Sequence, residues 1–275
     1  MAGTLGLIAG SGRLPFEVAE AAAERGVALV IVAIRDNTDP RIESLPARAF
    51  TWISAGELGR LLEFLKTSGA GDVILAGAVA KREMFRDLAA LRPDARAIAL
   101  LGRMRDLGDD ALLRAVAAEI ESEGMRVIDS TLHLEDRLTR PGPLSQVPIS
   151  AECQADLALG LRVAKTLGVH DVGQTVVVKD STVLALEAIE GTNAAVERGA
   201  QLGGRGVCVV KAAKPKQDLR FDVPAVGPDT IVLAERLGVA AIGLEAGCTL
   251  LLERQRTLDS ALRAGIALVG LEPPA

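Results

Sequence analysis

The chain is 275 residues long, enough for two domains, and 49% of it is apolar, so it can bury a real core and is not disordered. Lys+Arg number 31 against 36 Asp+Glu, and a net charge of -5 gives no basic footprint for nucleic acid; an aromatic content of 2% without tyrosine argues against a base-stacking surface. A site for an anionic ligand must therefore concentrate its positive charge locally, and the core must be built from Ala, Val, Leu and Ile.

In chain order, Leu5–Ala9 reads as a strand, followed by a helix from about Pro15 to Arg25 and a second apolar run, Leu29–Ile34. Leu58–Lys66 has a helical pattern and Val73–Ala76 reads as a strand. Asp109–Glu123 sets Leu112, Val116 and Ile120 on one helix face, with Asp109 and Asp110 as an N-cap with an acidic first turn or as carboxylates offered to a metal or substrate, and Met125–Ile128 is a further strand. Strand–helix alternation implies a parallel sheet covered by helices. Residues 137–150 (RLTRPGPLSQVPIS) hold three prolines and no periodicity, and they mark the best boundary. The division expected is an N-terminal α/β domain over 1–136, a linker over 137–150 and a second domain over 151–275.

Past the boundary, Ala151–Leu167 reads as a helix. Thr175–Lys179 and Val183–Ala188 flank Asp180-Ser181 as a hairpin, Thr192–Leu202 is helical, and Val207–Lys211 is a strand. Pro228–Leu237, Ala240–Leu244, Leu250–Leu252, Leu258–Ala264 and Ala267–Leu271 continue the alternation. The spacing of Cys153, Cys208 and Cys248 fits no zinc pattern and points to reduced thiols; they and the two histidines, His133 and His170, read as structural. The N-terminus has no basic region of a signal peptide, and no run of about 18 apolar residues offers a membrane span.

Five places could carry chemistry. Gly10-Ser11-Gly12 follows the first strand and opens a helix, the arrangement in which backbone N–H groups meet a phosphate. Asp36 lies where a ribose-binding acid could be, but Pro15 stands where the third glycine of the dinucleotide fingerprint belongs. Glu187, Glu190, Gly191, Thr192 and Asn193 form a strand-to-helix transition that could cap a helix or bind a ligand. The stretch 214–230 mixes Lys214, Lys216 and Arg220 with Asp218, Asp222 and Asp229, a composition suited to a phosphate and a hard divalent ion. Asp222 sits among Phe221, Val223 and Pro224, where burial would raise its pKa toward that of a base. Glu245 ends an apolar run, where open α/β sheets place ligands.

The segments LGLIAGSGRLP from Leu5, GDDALLR from Gly108, VGQTVVVKD from Val172, LEAIEGTN from Leu186, KPKQDLRFDVPAVGPDT from Lys214 and EAGCTLLLE from Glu245 together resemble the LpxI-type UDP-2,3-diacylglucosamine pyrophosphatases, in the same order along the chain. The resemblance implies a magnesium-dependent enzyme of lipid A biosynthesis that splits UDP-2,3-diacylglucosamine into UMP and 2,3-diacylglucosamine 1-phosphate, with water attacking the phosphorus on the sugar side. It implies a Rossmann-like N-terminal domain and a distinct C-terminal α/β domain with substrate held between them, a homodimer, and a cytoplasmic location with peripheral contact at the inner membrane of a Gram-negative bacterium. The family's essential aspartate falls on Asp222. Within that frame Asp222, Gln217 and Arg220 are the expected catalytic residues. Gly10, Ser11, Gly12, Thr192, Asn193 and Lys214 are the expected substrate contacts, and Asp222, Glu190 and Glu245 the expected Mg²⁺ ligands. The family commonly has Asp where this chain has Asn193, and often Thr where it has Ala225. The rival readings are an NAD-dependent oxidoreductase built on the glycine loop and a non-enzymatic nucleotide- or lipid-binding protein.

Overall fold

The computed structural model describes residues 3–78, 92–104, 109–215, 218, 220–221 and 223–273. The chain divides into two compact units. The first is 1–134 with the short segment 218–222; the second is 135–217 with 223–275.

In the first unit, β1 (Thr4–Ala9), β2 (Leu29–Ile34), β3 (Ala49–Ile53), β4 (Ala70–Ala76) and β5 (Arg126–Val127) make one parallel sheet in the order β3-β2-β1-β4-β5. This is the expected Rossmann-like arrangement. Every residue of β2 is buried, because helices cover both faces of such a sheet and the strand has no solvent side. The helices are α1 (Leu14–Glu24), α2 (Leu58–Thr67), α3 (Ala95–Arg103) and α4 (Asp109–Ser122). Ile8, Val30, Val32, Val73 and Leu75 pack on Leu61, Leu65, Leu100 and Ile120 of α2, α3 and α4. Each such fully buried aliphatic contributes about 1.5–3 kcal/mol.

Two elements of this unit are absent from the sequence reading. β3 is an edge strand whose first four residues are half-buried, so Thr51 and Trp52 blur its alternation. α3 starts where Asp94 accepts hydrogen bonds from the amides of Ala97 (2.9 Å) and Gly59 (2.6 Å), a cap that also ties it to α2. Arg96 on α3 then pairs with Glu119 of α4 and with Glu123, just past the end of α4, at 2.7 and 2.6 Å. The α4 helix begins at Asp109 as expected, but the side chains of Asp109 and Asp110 lie outside the described residues.

The second unit holds β6 (Gly142–Pro143), α5 (Ala151–Val169), β7 (Thr175–Lys179), β8 (Thr182–Leu186), α6 (Thr192–Gly203), β9 (Cys208–Lys211), β10 (Ala225–Val226), α7 (Pro228–Leu237), β11 (Ala241–Glu245), β12 (Leu250–Leu251), α8 (Arg254–Ala264) and β13 (Ala267–Leu271). Six strands form a mixed sheet in the order β6-β13-β11-β9-β7-β8, and β10 and β12 pair separately. Strands β9, β11 and β13 run parallel, whereas β6 and β7 are antiparallel to their neighbours in that core. Period-two alternation sorts the side chains. Val176, Val178, Cys208 and Val210 pack on Leu157 and Leu161 of α5, while Val177, Val209 and Ile242 face Val196, Ile231 and Ala261 of the other helices.

The hairpin at Asp180-Ser181 is present. Both turn residues have positive φ, 51° and 59°, as a tight hairpin requires, and neither is glycine. The carboxylate of Asp156 on α5, 4% exposed, accepts from both turn amides at 3.0 and 2.7 Å and holds the turn in place. The last helix starts at Arg254 rather than Leu258; its first turn is polar and carries no apolar signal. Among the described residues no helix is long and apolar enough to cross a membrane.

Candidate functional site

In the first unit the strand order reverses between β1 and β4, so the loops after these two strands flank the topological switch point, the usual place for a ligand in an open α/β sheet. The Gly10 amide donates to Ala76 O at 2.8 Å and the Ser11 amide to Ala78 O at 2.7 Å; the Ser11 hydroxyl also donates to Ala78 O. A Cβ on Gly10 would stand 2.6 Å from that same carbonyl oxygen, and one on Gly77, where φ is 86°, would run into Ser11 O. Glycine at 10 and 77 is therefore explained by two loops meeting backbone to backbone. Two of the amides expected to face a phosphate are engaged in that contact, whereas Gly12 is exposed with φ 89° at the mouth of α1. Asp36 lies in an exposed turn beyond β2, fixed by Thr38, whose hydroxyl donates to Ala9 O and accepts from the Ile34 amide.

The segment 218–222 belongs to this first unit although its flanks belong to the second. Phe221 is 7% exposed and joins the cluster that contains Ile120, Val73 and Leu75. Arg220 lies over the Phe221 ring, 4.9 Å from its centroid. Its Nε and Nη2 grip Asp218 at 2.9 and 2.7 Å, and Nη1 reaches Glu121 of α4 at 3.3 Å. The Arg220 guanidinium, by hydrogen bonding, holds the Asp218 carboxyl below the usual carboxylate range, and Asp218 in turn raises Arg220. Asp222 and Gln217 lie outside the described residues.

In the second unit the register aligns Thr175 with Lys211 and Lys211 with Leu244, so β7 starts where β9 and β11 end. This edge brings several expected residues together. Glu187, just past β8, is 9% exposed; its Oε1 accepts from the Thr192 hydroxyl at 2.9 Å, and the Thr175 hydroxyl lies 3.4 Å from that of Thr192. Its Oε2 is buried without a hydrogen-bond partner among the described residues. Thr192 and Asn193 do not cap α6. Gly191, at φ 83°, is the N-cap residue and no side chain bonds there; the Thr192 hydroxyl is turned toward Glu187, and Asn193 is exposed.

Glu190 accepts from Arg198 at 2.6 Å and from the Ala188 amide at 3.2 Å. Its own backbone amide, Arg198 and the Ala188 amide together hold its carboxyl below the usual range. Glu245 is 2% exposed; one oxygen accepts from Lys165 Nζ at 2.7 Å and the other from the Ala213 amide at 2.7 Å. Lys214 pairs with Asp171, just past α5. Both expected glutamate ligands thus already hold a cation. Among the described residues no group of three or more His, Cys, Asp and Glu could hold a metal ion, so those carboxylates do not by themselves form a divalent-ion site. Lys165, Asp171 and Asp156 were not singled out from the sequence. Each works through a partner far away in the chain, and a lone charge within a helical pattern carries no such signal.

A Rossmann-like parallel sheet joined to a mixed α/β unit, with cations and carboxylates gathered at strand ends, defines an α/β protein of the ligand-binding or enzymatic kind. Residues 4–137 match the LpxI N-terminal domain and residues 140–269 the LpxI C-terminal domain. The UDP-2,3-diacylglucosamine pyrophosphatase LpxI of Caulobacter vibrioides is 37% identical over 282 residues, spanning 98% of each chain. The chain belongs to the LpxI family. Among solved structures, CobK precorrin-6A reductase aligns over 100% of this chain and 89% of its own at 13% identity and a TM-score of 0.32. The biotin carboxylase domain of Hydrogenobacter thermophilus 2-oxoglutarate carboxylase aligns over 66% and 36% at 15% identity and 0.25. Superpositions this loose carry no functional information.

Proposed function

We propose that this protein hydrolyses the pyrophosphate of UDP-2,3-diacylglucosamine to UMP and 2,3-diacylglucosamine 1-phosphate, a step of lipid A biosynthesis. The supporting observation is the full-length likeness to the Caulobacter vibrioides pyrophosphatase, which covers 98% of both chains and so spans both units. Water attacks the phosphorus on the sugar side, and the bridging oxygen leaves with UMP.

Asp222 is the catalytic acid–base group in this reading, taking the proton of the attacking water, and Gln217 orients that water. Arg220 and Lys214 counter the negative charge that would otherwise repel the nucleophile. Each shares its cation with a carboxylate in the fold, Asp218 for Arg220 and Asp171 for Lys214, so each side chain is held in place before substrate arrives. Gly10, Ser11 and Gly12 contribute to the nucleotide site through the mouth of α1, and Thr192 and Asn193 contact substrate from the start of α6. Magnesium dependence is part of the proposal: a hard divalent ion, when bound, neutralises phosphate oxygens and stabilises the departing phosphate. Asp222 would be its holder; Glu190 and Glu245 are held by Arg198 and Lys165 in the fold and would have to give up those partners to join it. The same reading makes the protein a cytoplasmic homodimer in peripheral contact with the inner membrane of a Gram-negative bacterium.

Hydrolysis in ¹⁸O-labelled water tests the reaction and its direction together. The expected label is in the lipid 1-phosphate, with unlabelled UMP. Label in UMP would move the attack to the other phosphorus, and binding without UMP release in the presence of Mg²⁺ would make the protein a carrier.

A further inference from the structure

We infer that Lys165 and Glu245 are positioning residues. Together they clamp the backbone of Ala213 and fix the course of the chain as it leaves β9 and enters the stretch 214–230, whose sequence carries Gln217, Arg220 and Asp222. The inference rests on the reading that this stretch carries the chemistry.

Strand β11 ends at Glu245, one residue beyond the Lys211–Leu244 pair, so its side chain stands beside the chain emerging from β9. The carboxylate accepts from Ala213 N at 2.7 Å; Lys165 Nζ donates to Ala213 O at 2.9 Å and to Glu245 at 2.7 Å. The N–H and C=O of one residue are thus gripped by an anion and a cation that neutralise each other. A lone carboxylate this deeply buried would carry a heavy desolvation cost, which the attraction of the lysine offsets. Core stability alone would be served as well by two apolar side chains of similar volume. An ion pair closed around a loop peptide instead fixes a position and a direction.

The rest of the seat agrees. Gly168, one turn along α5 from Lys165, lies directly under the next residues. A Cβ there would stand 3.0 Å from Lys214 Cα and 2.8 Å from Pro215 Cδ. Asp171 then pairs with the Lys214 side chain. Residues 213–215 are therefore laid along the last turn of α5, held by an ion pair, a close contact and a second ion pair in succession.

Lys165→Met and Glu245→Gln test the clamp, with Lys165→Arg as the conservative rescue. The readouts are hydrogen exchange at the Ala213 amide, kcat and KM for UMP release, and the Mg²⁺ concentration at half-maximal rate. Loss of the clamp predicts faster Ala213 exchange in both variants and a fall in kcat of roughly 10–100-fold, the scale of a small misplacement of catalytic groups. KM and the Mg²⁺ requirement stay near wild type, the double variant is no worse than either single one, and Lys165→Arg recovers most of the rate. Gly168→Ala, which lifts the chain off α5 without touching the ion pair, lowers kcat in the same way if either substitution prevents folding. Wild-type kcat in a folded Lys165→Met protein with an exposed Ala213 amide overturns the inference. So does a raised Mg²⁺ requirement in Glu245→Gln alone, which would make Glu245 a metal ligand. If the wild-type protein releases no UMP, the hydrolase reading falls, and the exchange measurement still decides whether the clamp exists.

Discussion

Replacing Phe221 by alanine separates the anchoring of the 218–222 segment from the chemistry proposed for Asp222. Among the described residues of that segment, Phe221 is the large apolar group in the core of the first unit, 7% exposed, with Arg220 over its ring. Emptying a buried phenylalanine site costs about 3–5 kcal/mol in a cooperative core, and losing the ring under the guanidinium removes about 0.5–1 kcal/mol more. The segment is five residues long and returns to the second unit at both ends. Detachment is therefore an alternative to unfolding, and the global cost is capped by what holds the segment down. The expected result is a fall in global stability well below 3 kcal/mol, measured by urea denaturation, together with a fall in kcat of at least 10-fold as Asp222 loses its neighbour's anchor. Phe221→Leu, which refills most of the site, restores both. Wild-type kcat/KM in Phe221→Ala would refute the reasoning, because the anchor would then be irrelevant to the step that Asp222 performs.

Asp156→Ala removes two charge-assisted hydrogen bonds from a turn whose residues both have positive φ; a loss of roughly 2–4 kcal/mol is expected in chemical denaturation, with kcat of the folded fraction unchanged. Asp218 has a carboxyl depressed by Arg220, so its ionised form favours the folded state. That contribution is complete above the ordinary aspartate pKa of about 4 and is lost as pH falls through the lower folded value. Asp218→Asn should accordingly flatten the acid limb of the stability profile while lowering stability at neutral pH. Asn193 is the second residue of α6 and exposed, so Asn193→Asp places a negative charge at the positive end of the helix and should raise stability by about 0.3–1 kcal/mol in thermal melts.

How far the sequence carries depends on what each residue answers to. β1 and β2 were legible because strands buried on both faces must be continuous apolar runs, and the turn at Asp180-Ser181 because two strong strand formers flank it. β3 was not, because an edge strand half-open to solvent loses its pattern, and α3 was not, because the tie of its cap residue Asp94 to Gly59 and its Arg96 ion pairs are made with partners 23 to 35 residues away. The site divides along the same line. Glu245 could be located at a strand end, but its role depends on Lys165, 80 residues earlier. The glycines at 10 and 12 signal a tight turn, yet the reason for Gly10 is the loop after β4. The charges of 214–230 were visible as a composition. That Phe221 carries residues 218–222 into the first unit was not, since a single phenylalanine between charges looks the same on a surface loop as in a core.

The most direct measurement is UMP release from UDP-2,3-diacylglucosamine by the wild-type protein and by Asp222→Ala, with and without Mg²⁺, beside their melting curves. A metal-dependent wild-type rate that falls by about 100-fold or more in a variant of unchanged stability is the predicted result. A variant that releases UMP at close to the wild-type rate would contradict it.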